Sequence, residues 1–205
     1  MLRRTAKIAV MVSGGGTNLQ ALIDAEKSGI IESGKITLVL SNKENAYALE
    51  RAKAAGIKTA VVVKKNCEGN ADFEAKMMKI LDAEGVDLIV LAGFMSILSE
   101  NFTNHYKDRI INVHPSLIPS FCGDGFYGIH VHEAALNYGV KVSGATVHFV
   151  NEITDGGKII MQKAVEVREG DTPELLQRRI MEEAEWKILP LSAELVCQQI
   201  IKEKE

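Results

Sequence analysis

The chain has 205 residues, 46% of them hydrophobic, and its 24 basic and 27 acidic side chains give a formal net charge of −3. This length and composition allow one domain with a sizeable core, and they disfavour intrinsic disorder. The near balance of charge argues against a general binder of nucleic acid or of membrane surfaces. No apolar run in the sequence approaches the length of a membrane span.

The three cysteines, Cys67, Cys122 and Cys197, are scattered along the chain and form no CxxC pair. Their odd number and wide spacing favour unpaired thiols in a reducing, cytoplasmic setting. The N-terminal residues run directly into a short apolar strand, without the longer apolar region that a signal peptide carries.

The first half of the chain alternates short apolar runs with amphipathic segments, as strands and helices that follow one another do. The alternation predicts an α/β fold, namely a Rossmann-like, mostly parallel twisted sheet with helices on both faces. The predicted strands are Lys7–Val12, Ile36–Ser41, Thr59–Val63, Asp87–Ala92 and Ile110–His114. The predicted helices are Asn18–Ser28, Ala46–Ala55, Asp72–Glu84 and Ser99–Tyr106.

The pattern changes after Pro115, where a loop rich in Gly, Pro and Ser extends to Gly128. Two apolar runs separated by Asn151–Gly157 predict a hairpin, and therefore an antiparallel excursion near the C-terminal part of the sheet. Pro190 is expected to interrupt the last helical segment. We treat residues 1–205 as a single domain with an N-terminal half, 1–110, and a C-terminal half, 111–205. The remaining predicted elements are a helix at His130–Tyr138, strands at Ser143–Val150 and Lys158–Val167, and a helix that starts at Thr172.

The loop Ser13-Gly14-Gly15-Gly16-Thr17-Asn18 follows the first predicted strand and precedes the first predicted helix. Glycines let the backbone approach a ligand closely, and free N–H groups at a helix start attract an anion. The loop lacks the Lys of a Walker-type phosphate loop and the spacing of the dinucleotide fingerprint. It is typical of a site for a phosphate monoester on a small substrate, or of a tight turn with Thr17 or Asn18 as the N-cap.

Asn112 and His114 stand two residues apart at the end of an apolar run that Pro115 stops. In a strand, period-two alternation sends both side chains to the same face. Ligands of open α/β sheets bind at the carboxyl ends of the strands. The amide and a protonated imidazole would together stabilise an oxyanion on a carbonyl under attack. The alternative is a structural histidine at the end of a strand.

A protonated His114 needs a nearby carboxylate, and Asp155 in Thr154-Asp155-Gly156-Gly157 is the best candidate. The alternative for this segment is a simple Asp-Gly turn. No Ser or Cys stands in a nucleophile elbow, which favours direct transfer without a covalent enzyme intermediate. His148 is either a core residue of a strand or a wall of the site. No metal site is predicted, because no Cys or carboxylate completes a ligand set with the histidines.

Five segments, spread from Lys7 to Val167, closely resemble the phosphoribosylglycinamide formyltransferase family of folate-dependent enzymes. NVHPSLIP followed by GATVHFV and DGG is highly specific for folate-dependent formyltransferases. SGGGTNL is similar to the glycinamide ribonucleotide branch, in which this loop takes the ribose phosphate. The five segments are KIAVMVSGGGTNLQALID, DLIVLAGFMSILS, RIINVHPSLIPSF, GVKVSGATVHFV and DGGKIIMQKAVEV.

The resemblance implies transfer of the formyl group of 10-formyltetrahydrofolate to the amine of 5-phosphoribosylglycinamide in purine biosynthesis, without a metal. It implies Asn112, His114 and Asp155 as the catalytic set. His114 would act as proton donor and oxyanion partner. Asp155 would raise the pKa of His114 and help move a proton from the attacking amine toward the departing folate nitrogen. His148 matches a second family histidine near the site.

The resemblance also implies two binding regions and small-molecule substrates as partners, with the protein a monomer or homodimer. The family often has Arg at the position of Ser96 and a basic residue after the third strand, where Lys64 or Lys65 would substitute. The residues implied for the glycinamide ribonucleotide are Gly16, Thr17 and Asn18 at the phosphate and Glu185 at the ribose. The residues implied for the folate are Met95, Ser96, Ile97, Leu98, Asn112, Asn151, Glu152, Ile153, Thr154 and Asp155, with Lys65 at its tail.

Other members of the superfamily are the close alternatives. Sugar-nucleotide and methionyl-tRNA formyltransferases share the NxHPS segment but usually carry further C-terminal sequence. Formyltetrahydrofolate deformylase has an additional N-terminal module, for which a first strand at Lys7 leaves no room. A nucleotide-binding module or a dehydrogenase would need an acidic residue at the end of the second strand, where Ser41-Asn42-Lys43 stands instead.

Overall fold

The computed structural model describes residues 5–204, and the strands in this range form one sheet. Most begin or end within a few residues of the predicted bounds, because the apolar runs that predicted them are the segments buried in the core. The strands are β1 (Ala6–Val12), β2 (Gly34–Ser41), β3 (Lys58–Val61), β4 (Leu88–Leu91), β5 (Ile110–His114), β6 (Val142–Phe149) and β7 (Ile159–Glu166).

The sheet has the strand order β3-β2-β1-β4-β5-β6-β7. The first five strands in this order pair in parallel, and β6 and β7 add an antiparallel pair at one end. The predicted α/β fold, with its mostly parallel sheet and antiparallel excursion, is therefore confirmed. The carboxyl ends of β1, β4 and β5 lie side by side, so the segments that follow them meet at one edge of the sheet.

Helices cover both faces of the sheet. Between residues 5 and 204, no helix combines the length and the apolar composition that crossing a membrane requires. The helices are α1 (Thr17–Ser28), α2 (Tyr47–Ala54), α3 (Asn70–Glu84), α4 (Glu100–His105), α5 (Ile129–Tyr138), α6 (Pro173–Ile180) and α7 (Trp186–Glu203), together with a 3-10 turn at Lys64–Asn66 and a π turn at Met181–Glu185.

The side chains of β1 alternate between the two faces of the sheet, which divides the core into two layers. Ile8 and Val10 point into a layer shared with α1, α2, α5, α6 and α7. Ala9 and Met11 point into the opposite layer, which α3 and α4 cover. Because both faces of the central strands are buried, apolar residues occupy consecutive positions, as in residues 8–12 of β1 and Leu88–Leu91 of β4, rather than every second one.

The last helical segment differs from the prediction at Pro190, which lies buried inside α7 and does not interrupt it. The irregularity lies earlier, at the π turn Met181–Glu185 that joins α6 to α7. An interior proline costs a helix about 3 kcal/mol, but most of the stability of a protein helix comes from packing of its apolar face. Here Ile188 and Leu189 are buried next to the proline, so packing outweighs the lost hydrogen bond.

Candidate active site

Three polar side chains meet on one face of the sheet, at β5 and its neighbour β6. Asn112 and His114 share a face of β5, as their spacing predicts. The antiparallel register places His148 of β6 directly opposite Asn112. The Asn112 amide donates to Nε2 of His148 across 3.3 Å. His148 is therefore a neighbour of the pair rather than an isolated core histidine.

Asp155 reaches this face from the loop that follows β6. Its Oδ2 lies 3.5 Å from Nδ1 of His114, and its Oδ1 lies 3.5 Å from Nε2 of His148. The Gly123 backbone N–H donates to Oδ2 across 2.9 Å. The carboxylate is only 9% exposed, and Asp155 has a φ of 54°. Asp tolerates this left-handed conformation better than most residues, so the turn can aim the carboxylate between the two imidazoles.

The partners of the two imidazoles decide which ring nitrogens carry protons. His114 donates from Nε2 to the carbonyl of Phe121 across 2.8 Å. His148 donates from Nδ1 to the carbonyl of Phe149, also across 2.8 Å. A neutral imidazole has a single N–H. In their neutral forms, both rings therefore turn an unprotonated nitrogen toward Asp155, and a proton arriving between them finds three acceptors.

Burial controls the pKa values of this cluster. Burial lowers the pKa of His114, and the carboxylate of Asp155 and the bond to Phe121 raise it by less, so its pKa lies below the usual 6.5. Burial alone would raise the pKa of Asp155, but contact with His148, the charge of His114 and the Gly123 N–H together hold it below 3.8. Asp155 is thus ionised at neutral pH. Burial favours the neutral form of His114 at rest, and the expected protonated imidazole stays a prediction.

The loop between β5 and α5 supplies two partners that the sequence did not predict, the Phe121 carbonyl and the Gly123 N–H. Thr146 holds the start of this loop, because its hydroxyl donates to the Ser116 carbonyl across 2.7 Å and accepts the Ile118 N–H across 3.1 Å. Backbone groups leave no signature in side-chain identity. The glycines of the loop were the only signal of its close approach to a polar site.

The glycine loop after β1 begins α1 without a side-chain cap. The N-cap is Gly16, with a φ of 73°, so the alternative of Thr17 or Asn18 as the N-cap is wrong. A Cβ at Gly16 would stand 2.6 Å from Cβ of Ala48, which only glycine avoids. The loop therefore packs against α2 through its backbone, and it keeps the N–H groups at the start of α1 unobstructed by a capping side chain.

Glu185 lies at the end of the π turn and meets the glycine loop. The Asn18 amide donates to its Oε2 across 2.7 Å. Glu185 is almost fully buried, and burial raises its pKa to about 7, although the Asn18 bond acts in the opposite direction. The predicted ribonucleotide residues Asn18 and Glu185, which are far apart in sequence, are in direct contact.

The segment between β4 and α4 carries the predicted folate residues Met95 to Leu98. The Met95 N–H donates to the Ser13 hydroxyl across 2.8 Å, and the Ser96 hydroxyl accepts from Asn42 across 3.0 Å. Met95 and Ile97 are 54% and 74% exposed, whereas Leu98 is buried in the α3 and α4 layer. The segment thus carries two exposed apolar side chains, and it follows β4, the strand that pairs with β5.

The loop after β6 carries the other predicted folate residues, from Asn151 to Asp155. Asn151 accepts the Ile153 N–H across 3.1 Å, which forms a tight turn and leaves Ile153 61% exposed. Gly157 is required, because a Cβ there would lie 1.7 Å from the Phe149 carbonyl oxygen. The close turn folds the loop back over the sheet, which is how Asp155 reaches its two histidines.

Lys65 lies apart from these groups, exposed in the 3-10 turn that follows the edge strand β3. Its role at a folate tail stays a prediction. Among residues 5–204, no three His, Cys, Asp or Glu side chains are grouped so that they could hold a metal ion.

Comparison with known proteins matches residues 6–192 to a family described as formyl transferase. The phosphoribosylglycinamide formyltransferase of Haemophilus influenzae is 44% identical over 185 residues, which cover 90% of this chain and 84% of that protein. The human trifunctional purine biosynthetic protein adenosine-3 is 42% identical over 195 residues, or 95% of this chain. This chain spans only 19% of the length of the human protein.

A solved structure shares the fold. The glycinamide ribonucleotide transformylase 1 of Symbiobacterium toebii superposes with a TM-score of 0.89 at 41% identity, covering 95% of this chain and 89% of that one. The similarity of fold therefore extends over 95% of this chain.

Proposed function

This chain belongs to the formyl transferase family, and on that basis we propose that it transfers the formyl group of 10-formyltetrahydrofolate to the amine of 5-phosphoribosylglycinamide. The products are formylated glycinamide ribonucleotide and tetrahydrofolate, and the reaction belongs to purine biosynthesis. Relatives named for this activity that match 90% or more of this chain support the proposal.

The observation that carries the proposal is the carboxylate of Asp155 between His114 and His148, beside the Asn112 amide. Amide and imidazole donors are the groups that stabilise an oxyanion in acyl transfer. A carboxylate within reach of two imidazoles can accept a proton and pass it on. This cluster therefore suits an amine attacking a carbonyl-type carbon.

The proposed reaction balances with this chain's own groups. The neutral amine attacks the formyl carbon and a C–N bond forms, while Asn112 donates to the developing oxyanion. The proton lost by the amine passes to the Asp155 and His114 pair, where Nδ1 of His114 is unprotonated at the start. Protonated His114 then donates, and the proton reaches the folate nitrogen as its bond to the formyl carbon breaks. The low pKa of His114 makes it a base first and an acid second.

The residues at the edge of the sheet fit the two substrates in their chemistry. We propose that Gly16, Thr17 and Asn18 hold the phosphate and that Glu185 holds the ribose. A buried carboxylate that accepts a single bond retains capacity to accept hydroxyl donors. On the folate side, the exposed apolar side chains of Met95, Ile97 and Ile153 would cover a flat ring system. Ser96, Leu98, Asn151, Glu152 and Thr154 would line the same pocket, with Lys65 at the folate tail.

We also propose that residues 1–205 act as one unit, with the phosphate loop in the half 1–110 and the catalytic and folate loops in the half 111–205. The unpaired thiols Cys67, Cys122 and Cys197 support a reducing, cytoplasmic setting. The working protein would be a monomer or a homodimer that binds small-molecule substrates.

The test is the change in folate absorbance when the purified protein is mixed with 10-formyltetrahydrofolate, with and without 5-phosphoribosylglycinamide. We expect a change that requires the ribonucleotide, and formylated product in equal amount. Folate hydrolysis at the same rate without an acceptor would instead indicate a deformylase. A requirement for a sugar-nucleotide amine would indicate a different acceptor branch.

A further inference from the structure

Arg51 of α2 binds the glycine loop at a backbone carbonyl. Its Nε donates to the Gly15 carbonyl across 2.9 Å, and its Nη1 donates to the side chain of Gln20 across 3.1 Å. The guanidinium also lies 5.1 Å from the ring centre of Tyr47. Three contacts therefore fix one guanidinium between the loop, α1 and α2.

These contacts act on the orientation of successive peptide groups. The Ala48 N–H donates to the Gly14 carbonyl across 3.0 Å, and Arg51 binds the next carbonyl, that of Gly15. The Gly16 carbonyl accepts the Gln20 N–H inside α1. In a trans peptide the carbonyl points away from the N–H of the following residue. Fixing the Gly14 and Gly15 carbonyls against α2 therefore turns the N–H groups of residues 15 and 16 away from α2, and the bond to Gln20 turns the N–H of residue 17 away from the body of α1.

We infer that Arg51 is a positioning residue for the phosphate of the ribonucleotide substrate. By binding the Gly15 carbonyl, Arg51 holds the peptide group between Gly15 and Gly16 so that the Gly16 N–H faces the anion. The inference rests on the proposed function for the identity of that substrate. Glycines at 14 and 15 have no Cβ to restrain them, and a Cβ at either position would meet nothing within 4 Å. A loop so free to rotate needs an external restraint if its N–H groups are to converge on one anion.

The two donors of the Arg51 guanidinium, Nε and Nη1, form a fork that binds two acceptors at once, which is how Arg51 restrains the loop. A guanidinium donates in two fixed directions, which here lead to Gly15 and to Gln20, whereas an ammonium is a single point charge. Lys53 lies on the same helix and carries the same charge, but it pairs with Glu50 at the surface. Comparing substitutions of Arg51 with a substitution of Lys53 therefore separates the effect of hydrogen-bond geometry from the effect of removing a positive charge from α2.

The experiment compares Arg51→Met, Arg51→Lys and Lys53→Met with the unmodified protein. Inorganic phosphate is titrated calorimetrically in a phosphate-free buffer, and KM is measured for both substrates. We expect Arg51→Met to weaken phosphate binding and to raise KM for the ribonucleotide by about ten- to a hundredfold, the range for a hydrogen bond from a charged group. Arg51→Lys should recover little of this loss. Lys53→Met should leave both quantities within about twofold, and KM for the folate should not move in any variant.

Three results would overturn the inference: phosphate binding unchanged in Arg51→Met, full recovery in Arg51→Lys, or an equal rise in KM for the folate. If Arg51→Met does not fold, Gln20→Ala removes one arm of the fork and should weaken phosphate binding severalfold. Formyl transfer that does not depend on Arg51 would leave the proposed function intact and reject the inference. Phosphate binding that depends on Arg51, in a protein that shows no formyl transfer, would support the role of Arg51 and reject the proposed function.

Discussion

The carboxylate of Asp155 stands 3.5 Å from Nδ1 of His114, the nitrogen that its neutral ring leaves unprotonated. This separation is longer than a charge-assisted hydrogen bond, which is normally below about 2.9 Å. The two groups are close enough for a proton to pass between them, and with the ring neutral they hold none. An incoming amine can therefore supply it.

Asp155→Asn should lower kcat by ~10²–10⁴-fold, the usual contribution of a positioned acid or base. The amide cannot accept a proton from the amine, and it cannot stabilise a protonated His114. Asn tolerates the left-handed backbone at this position, so the fold should persist. Steady-state kinetics with both substrates, together with far-UV circular dichroism, would measure the two effects.

Asp108→Asn is the matched control, because Asp108 also has a positive φ, of 58°, and is exposed. It should retain full activity. If Asp155→Asn turned over at a rate close to that of Asp108→Asn, Asp155 would have no part in proton transfer.

Glu74→Gln should raise KM for the folate about tenfold and lower the free energy of unfolding by about 1.5–3 kcal/mol, the value of a hydrogen bond to a charged group. The buried Glu74 carboxylate accepts the Ser99 N–H across 2.8 Å and also the Ser99 hydroxyl, at the end of the segment that carries Met95 to Leu98. Its loss releases that segment. KM for each substrate and urea unfolding are the measurements.

Glu84→Gln removes a carboxylate from the same helix, where it pairs with Lys58 at the surface. KM for the folate should not change in this control. Equal increases in the two KM values for Glu74→Gln would contradict a role confined to the folate segment.

Glu185 should make the protein less stable as pH rises. Its pKa of about 7 in the fold exceeds the ordinary 4.5, so the folded state binds the proton more tightly than the unfolded state. The resulting stability is complete below pH 4.5 and is lost as pH rises through about 7, with a magnitude on the order of 3 kcal/mol. Urea unfolding between pH 4.5 and 8 would show this decline.

Glu185→Gln cannot ionise and should remove the decline, which makes this variant the more stable of the two at pH 8. The exposed neighbour Glu183 provides the comparison, since Glu183→Gln should keep the decline of the unmodified protein. An identical pH dependence in Glu185→Gln would show that Glu185 does not titrate in this range.

His132 should make the protein less stable in acid. Its ring is fully buried on α5, and neither ring nitrogen has a hydrogen-bond partner within the described chain. Burial lowers its pKa to about 4, with a further contribution from His114. The folded state therefore resists protonation, and stability is lost as pH falls from 6.5 toward 4, by an amount on the order of 3 kcal/mol.

His132→Leu should reduce this acid loss to the part that His114 contributes, since the pKa of His114 also lies below 6.5. It should be no less stable than the unmodified protein at pH 7, because it eliminates two unpaired buried nitrogens. His130→Leu on the same helix changes an exposed imidazole and should keep the acid loss. Denaturant unfolding at pH 5 and pH 7 compares the two variants. An acid loss in His132→Leu as large as that of the unmodified protein would assign the loss to other groups.

The local pattern of apolar and polar residues was sufficient to predict the fold and part of the candidate site. The alternation of apolar runs with amphipathic segments predicts the parallel sheet, since the runs of the central strands β1 and β4 are buried on both faces. Period-two spacing places Asn112 and His114 on one face, because alternation depends only on the strand itself. Pro190 shows the limit of such reasoning, because packing of α7 overrides the local preference of one residue.

The sequence by itself determined the order of the elements, the common face of Asn112 and His114, and the presence of a glycine loop before the first helix. Only the tertiary structure decided that Asp155 reaches both histidines, that backbone groups of Phe121 and Gly123 complete the cluster, and that Arg51 holds the glycine loop. It also decided that burial of His114 opposes the effect of the Asp155 carboxylate on the pKa of the ring. The reason is physical: burial and contacts between distant segments depend on how the whole chain packs, and local residue spacing carries no record of them.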